Sequence, residues 1–125
     1  MSFAIKLESQ LAEFYEKISM DGGKYAQEFN RRAKSCLIRK RKLEQSRRLN
    51  VTEIILEPIE GLDSSEYDLD WTTVVPGGVN QGTVNHFEET VCRFYGDAAP
   101  KINVLESRRI FERCEKEHSN LTRID

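Results

Sequence analysis

Between Ser2 and Met20, Leu7, Leu11, Phe14 and Ile18 recur at steps of four, three and four. This is the stripe of an amphipathic helix. A second helix is predicted from Lys24 to Leu49, which no Gly or Pro interrupts and which is rich in strong helix formers. At ~100° per residue, Tyr25, Phe29, Cys36 and Leu43 fall within about 40° of one another, a narrow seam suited to one partner helix. Arg32 and Arg39 flank that seam, where their aliphatic stems can lie along a partner while the guanidinium groups stay in water.

Asp21-Gly22-Gly23 separates the two stripes. Paired glycines favour positive φ and weaken a helix interior. Two chain paths follow: a reversal into a helical hairpin, or one long rod, continuous or slightly kinked, that dimerises. Counting sevens from Leu11 gives Ile18 and Tyr25, then Arg32 and Arg39, so an unbroken seam must shift onto Phe29, Cys36 and Leu43 by a stutter. A glycine pair is a very short loop for a reversal, which favours the rod.

Further along, Val51–Ile59 and Trp71–Val75 are rich in β-branched residues, and Val75-Pro76-Gly77-Gly78 suits a type II turn. They predict an irregular or β-hairpin middle. Val84, Phe87, Val91 and Phe94 then step by three, four and three, with Thr83 as N-cap and Gly96 as stop. A last helix is expected over Ile102–Thr122, where Val104, Phe111, Cys114, His118 and Leu121 share a face. The predicted fold is mainly α: a long N-terminal coiled-coil-like section, a small middle and two C-terminal helices. Residues 1–49 and 50–125 form its two sections within a single domain overall.

Charge divides the chain at the same place. The net charge of −2 combines 12 basic and 6 acidic groups in residues 1–49 with 7 basic and 15 acidic groups in residues 50–125. The predicted basic helix alone carries 10 basic residues against Glu28 and Glu44. Arg31, Arg32, Lys34, Arg39, Lys40, Arg41, Lys42, Arg47 and Arg48 are therefore its candidate anion-binding or partner-binding residues. Arg39-Lys40-Arg41-Lys42 also matches a nuclear import signal, a pattern common by chance. In the acidic section, Asp63, Glu66, Tyr67, Asp68, Asp70 and Trp71 interleave acids with aromatic rings, as in segments that dock on basic surfaces. The basic helix of this chain or of a neighbour is the natural receiver.

Leu11, Phe14, Tyr15, Tyr25, Ala26, Phe29, Ala33 and Lys34 stand at spacings that resemble those in an early helix of F-BAR membrane-curving domains, an FY pair followed by a YA pair and a basic helix. The resemblance covers residues 11–34 and implies an extended helical dimer at a membrane surface. Gly22 and Gly23 depart from it, standing where such a helix carries charged helix formers, and the chain is shorter than the family's dimer. The thin apolar face of the basic helix disfavours membrane binding.

Candidate chemistry is sparse. Cys114 and His118 sit four apart on one helical face, half of a zinc site whose other half must come from Cys36 or Cys92, and no CxxC occurs. Cys92 with His86, or Cys114 with His118, is the only Cys/His nucleophile arrangement on offer, and small buried thiols are commoner. PGGVNQG matches neither phosphate-binding glycine motif. No cofactor, metal, catalytic residue or small-molecule substrate is predicted. Three scattered cysteines, no signal peptide and no membrane-length apolar run predict an intracellular chain, nuclear or cytoplasmic.

A hydrophobic share of 38% beside a charged share of 32% means that much surface is polar or that a partner completes the core. The expected function is a non-enzymatic interaction subunit or adaptor. It would oligomerise with itself or another protein through Leu7, Leu11, Phe14, Ile18, Tyr25, Phe29, Cys36 and Leu43, and bind a partner through the basic helix. Nucleic-acid binding by Arg31–Arg48 through phosphate contacts is the alternative.

Overall fold

A computed structural model describes residues 2–20, 25–49, 67, 69, 81–102 and 104–121. These contain four α-helices, α1 (Ser2–Met20), α2 (Ala26–Leu49), α3 (Gln81–Ala98) and α4 (Leu105–Ser119), and no strand. The strands and turn predicted over 51–59 and 71–78 lie outside the described residues. The chain divides into two compact units, Met1–Ile54 and Ile55–Asp125.

In the first unit α1 and α2 run antiparallel. Tyr15 stacks on Phe29 with ring centroids 5.9 Å apart, while Glu8, one to two turns earlier in α1, meets Arg39, ten residues later in α2. The chain therefore reverses between the two helices, and the favoured rod is corrected to a hairpin. The reason is burial. A rod leaves both apolar stripes in water until a second chain arrives, whereas reversal lets each cover the other within one molecule.

The seam of α1, Ala4, Leu7, Leu11, Phe14 and Ile18, is buried and is widened by Ala12, Tyr15 and one charged residue, Glu8. Along α2 the inward positions alternate. Phe29, Cys36 and Leu43 supply one set, and Arg32, Arg39 and Ser46 supply the other, with Ala33 also buried. Because the chain reverses, a count of sevens from Leu11 carries no register into α2 and no stutter is needed; within α2, Phe29, Arg32, Cys36, Arg39, Leu43 and Ser46 keep their own steps of three and four.

In the second unit α3 and α4 are also antiparallel, joined by a 3-10 turn at Ala99–Lys101. Tyr95 meets Phe111 edge-on at 5.3 Å, and Glu88, about two turns earlier, meets His118, about two turns later. Val84, Phe87, Val91, Phe94, Tyr95 and Ala98 are buried from α3, with Ser107, Phe111, Cys114 and His118 from α4. Predicted boundaries are corrected in both helices: α4 is Leu105–Ser119 rather than Ile102–Thr122, since Ile102 and Val104 are extended. Helix α3 begins two residues before Thr83 and runs through Gly96. Pro100 at the start of the 3-10 turn marks its end, because proline has no N–H to continue the helical ladder. Gly96 instead faces α4: a Cβ placed there would lie 3.1 Å from Glu115 Oε1, close enough that the Glu115 side chain would have to shift slightly.

Candidate functional site

The nine predicted anion-binding residues divide into two that are buried and seven that are not, five of them exposed. Arg39 is 3% exposed, and its Nε donates to both carboxylate oxygens of Glu8, at 3.1 and 3.0 Å. Glu8 itself is fully buried. Arg39 Nη2 also donates to Cys36 Sγ at 3.2 Å. Arg32, equally buried, donates from Nε to Glu28 Oε1 at 3.0 Å and from Nη1 to the Tyr15 hydroxyl at 3.3 Å, with its guanidinium 5.8 Å from the Tyr15 ring centroid. A guanidinium taken out of water needs a carboxylate and further acceptors around it, and both arginines have them. Arg32 and Arg39 are thus internal braces of the hairpin, a correction to their reading as solvent-facing contacts.

The other group faces water. Among the described residues of α2, Gln27, Asn30, Arg31, Lys34, Leu37, Ile38, Arg41, Lys42, Gln45 and Arg48 are exposed. At ~100° per residue they occupy one arc of about 140°, opposite the seam. That arc holds five cations and no carboxylate. Glu28 and Glu44 lie at its margins, half-buried, where Glu28 pairs with Arg31 as well as Arg32. Lys40 and Arg47 are also half-buried, on the flank. From Arg31 to Arg48 the cationic arc extends about 25 Å along the axis.

Seven of the eight predicted seam residues, all but the half-buried Tyr25, are buried within the single chain. Of the predicted acidic docking segment, Tyr67 is described, and Asp63, Glu66, Asp68, Asp70 and Trp71 lie outside the described residues. Tyr67 is buried against α3. Its ring meets Phe94 edge-on at 5.5 Å, the Arg93 guanidinium lies 5.1 Å from its centroid, and its hydroxyl donates to Asp97 Oδ2 at 2.6 Å.

His118 and Cys92 each have a partner outside the predicted Cys/His pairs. His118 Nδ1 lies 2.5 Å from Glu88 Oε2, and its ring stacks on Tyr95 at 5.8 Å. Cys92 Sγ donates instead to the Glu115 carbonyl at 3.8 Å, and His86 is exposed. No group of three or more His, Cys, Asp or Glu side chains suited to a metal ion occurs among the described residues. Burial, then the Glu115 and Glu88 carboxylates, push the Cys92 thiol above its ordinary value. Less thiolate means a slow nucleophile. Cys92 is expected to alkylate with iodoacetamide at pH 8 more slowly than a free cysteine peptide. Because the unfolded chain releases this proton first, stability should fall as pH rises through and past the ordinary thiol range, more steeply than in Cys92→Ala. Equal alkylation rates and equal pH slopes would show the thiol to be unperturbed.

No described helix is long and apolar enough to cross a membrane. The buried glutamate–arginine pair is the feature that sequence reasoning missed, and its signal was the placement of Arg32 and Arg39 three residues after Phe29 and Cys36, on the seam of α2. In comparisons with protein-family models, curated proteins and solved structures, nothing matches this chain.

Proposed function

We propose that this protein is a non-enzymatic binding subunit, an adaptor that presents the exposed arc of α2 to an anionic partner. One observation carries the reading: Arg31, Lys34, Arg41, Lys42 and Arg48 share an exposed arc from which carboxylates are absent, while the remaining charges of the helix are drawn inward or to its flanks. Like charges on one helix face repel one another, by a few tenths of a kcal/mol per i,i+4 pair. An anionic partner relieves that repulsion. Self-association through the predicted seam would need the hairpin to open, since its residues already cover one another.

A nucleic-acid backbone is the second reading, favoured by Gln27, Asn30 and Gln45, whose amides lie on the same arc and can bond phosphates or base edges. The test is binding of fluorescent polyglutamate and duplex DNA to the full chain at low and high salt. Lys34, Arg41, Lys42 and Arg48 are changed together to Gln; Arg39 is left alone, because its loss would destabilise the hairpin. Polyglutamate binding is expected to disappear in the variant with helical circular dichroism unchanged. On DNA, the slope of log affinity against log salt is expected to fall by about 4. Undiminished affinity in the variant would refute the proposal.

A further inference from the structure

The same arc carries a feature that charge alone does not explain. Ile38 is 52% exposed and Leu37 37% exposed, in the middle of the cationic run. Ile38 lies four residues from both Lys34 and Lys42 and three from Arg41, the spacings at which helix side chains are surface neighbours. An apolar centre is therefore ringed by cations. Phosphate oxygens gain nothing from covering an isoleucine, whereas an apolar side chain placed on it removes both from water.

Exposed cations around exposed aliphatic side chains complement a surface that is acidic and apolar at once, as an amphipathic protein helix is and a phosphate polymer is not.

Resting on the anion-binding reading of this arc, we infer that its partner is an acidic amphipathic helix of another protein. An apolar residue of that helix seats on Ile38, with Leu37 about 100° further round at the edge of the arc. Carboxylates three and four residues to either side of it, the spacing of Lys34, Arg41 and Lys42 about Ile38, face the cations. The arrangement is a helix laid along a helix, with an apolar anchor giving specificity and a charged rim giving attraction.

The test uses three fluorescent probes on the full chain: a helical Glu-rich peptide with leucines at its centre, the same peptide with those leucines changed to Gln, and duplex DNA. The leucine peptide is expected to bind about tenfold tighter than its Gln counterpart, the margin of a buried anchor residue. Changing Leu37 and Ile38 together to Gln should erase that margin and leave the Gln peptide and DNA unaffected. Both positions are exposed, so the fold is retained, as circular dichroism will verify. Equal affinity of the two peptides, or tighter binding of DNA, overturns this inference alone and leaves an anion-binding arc. Failure of all three probes to bind overturns both readings.

Discussion

Arg39→Ala is expected to destabilise the α1/α2 unit by about 3–5 kcal/mol, because it strands the Glu8 carboxylate in the interior with its ion-pair partner removed. A typical domain has a total stability of about 5–15 kcal/mol, so the loss is a large share of what holds the hairpin together. The cost comes from the group left behind, and a second substitution tests that cause. Glu8→Leu combined with Arg39→Met removes both charges and keeps apolar volume in their place, and should recover most of the loss or exceed the parent. Urea unfolding followed by circular dichroism reads both effects. A single variant within about 0.5 kcal/mol of the parent, the range of surface substitutions, would mean that Arg39 is not a buried brace.

Phe111→Ala is expected to be of similar size in the other unit, about 3–5 kcal/mol. Phe111 is fully buried, with its ring 5.3 Å from Tyr95 and 5.9 Å from Phe94, and it joins α4 to α3 at the centre of their contact. Removing it deletes apolar area from the core and leaves a cavity that two rigid helices close only in part. Phe111→Leu keeps more of the volume and should cost markedly less. Denaturant midpoints of the two variants give the comparison. Equal, small effects would place Phe111 at a surface.

The two predictions concern features that differ in how plainly the chain displays them. Phe111 stands on a face with Cys114 and His118 at steps of three and four, and that spacing alone puts it inside. Arg39 stands at an equally regular position, but its residue type points outward, since arginine is mostly a surface residue. Pattern and type disagreed there, and pattern prevailed because Glu8 lies across the hairpin to receive the charge. For Gly96 the conflict was local. Glycine commonly ends helices, yet here the helix runs on through it and the Glu115 side chain of the neighbouring helix lies close against it.

What the sequence by itself determined is the set of helices and their inward faces, because periodicity of 3.6 residues and the absence of breakers act within one segment and need no knowledge of the rest. It also determined that one helix is strongly basic. Only the tertiary structure decided that α1 and α2 pair within one chain, that Arg32 and Arg39 are buried while Lys34, Arg41 and Lys42 remain in water, and that Tyr67 rests on α3. Each of these depends on what lies opposite a residue in space. A charge goes inside only where a distant counter-charge and acceptors meet it, and residues as far apart as Glu8 and Arg39 are brought together by the fold alone.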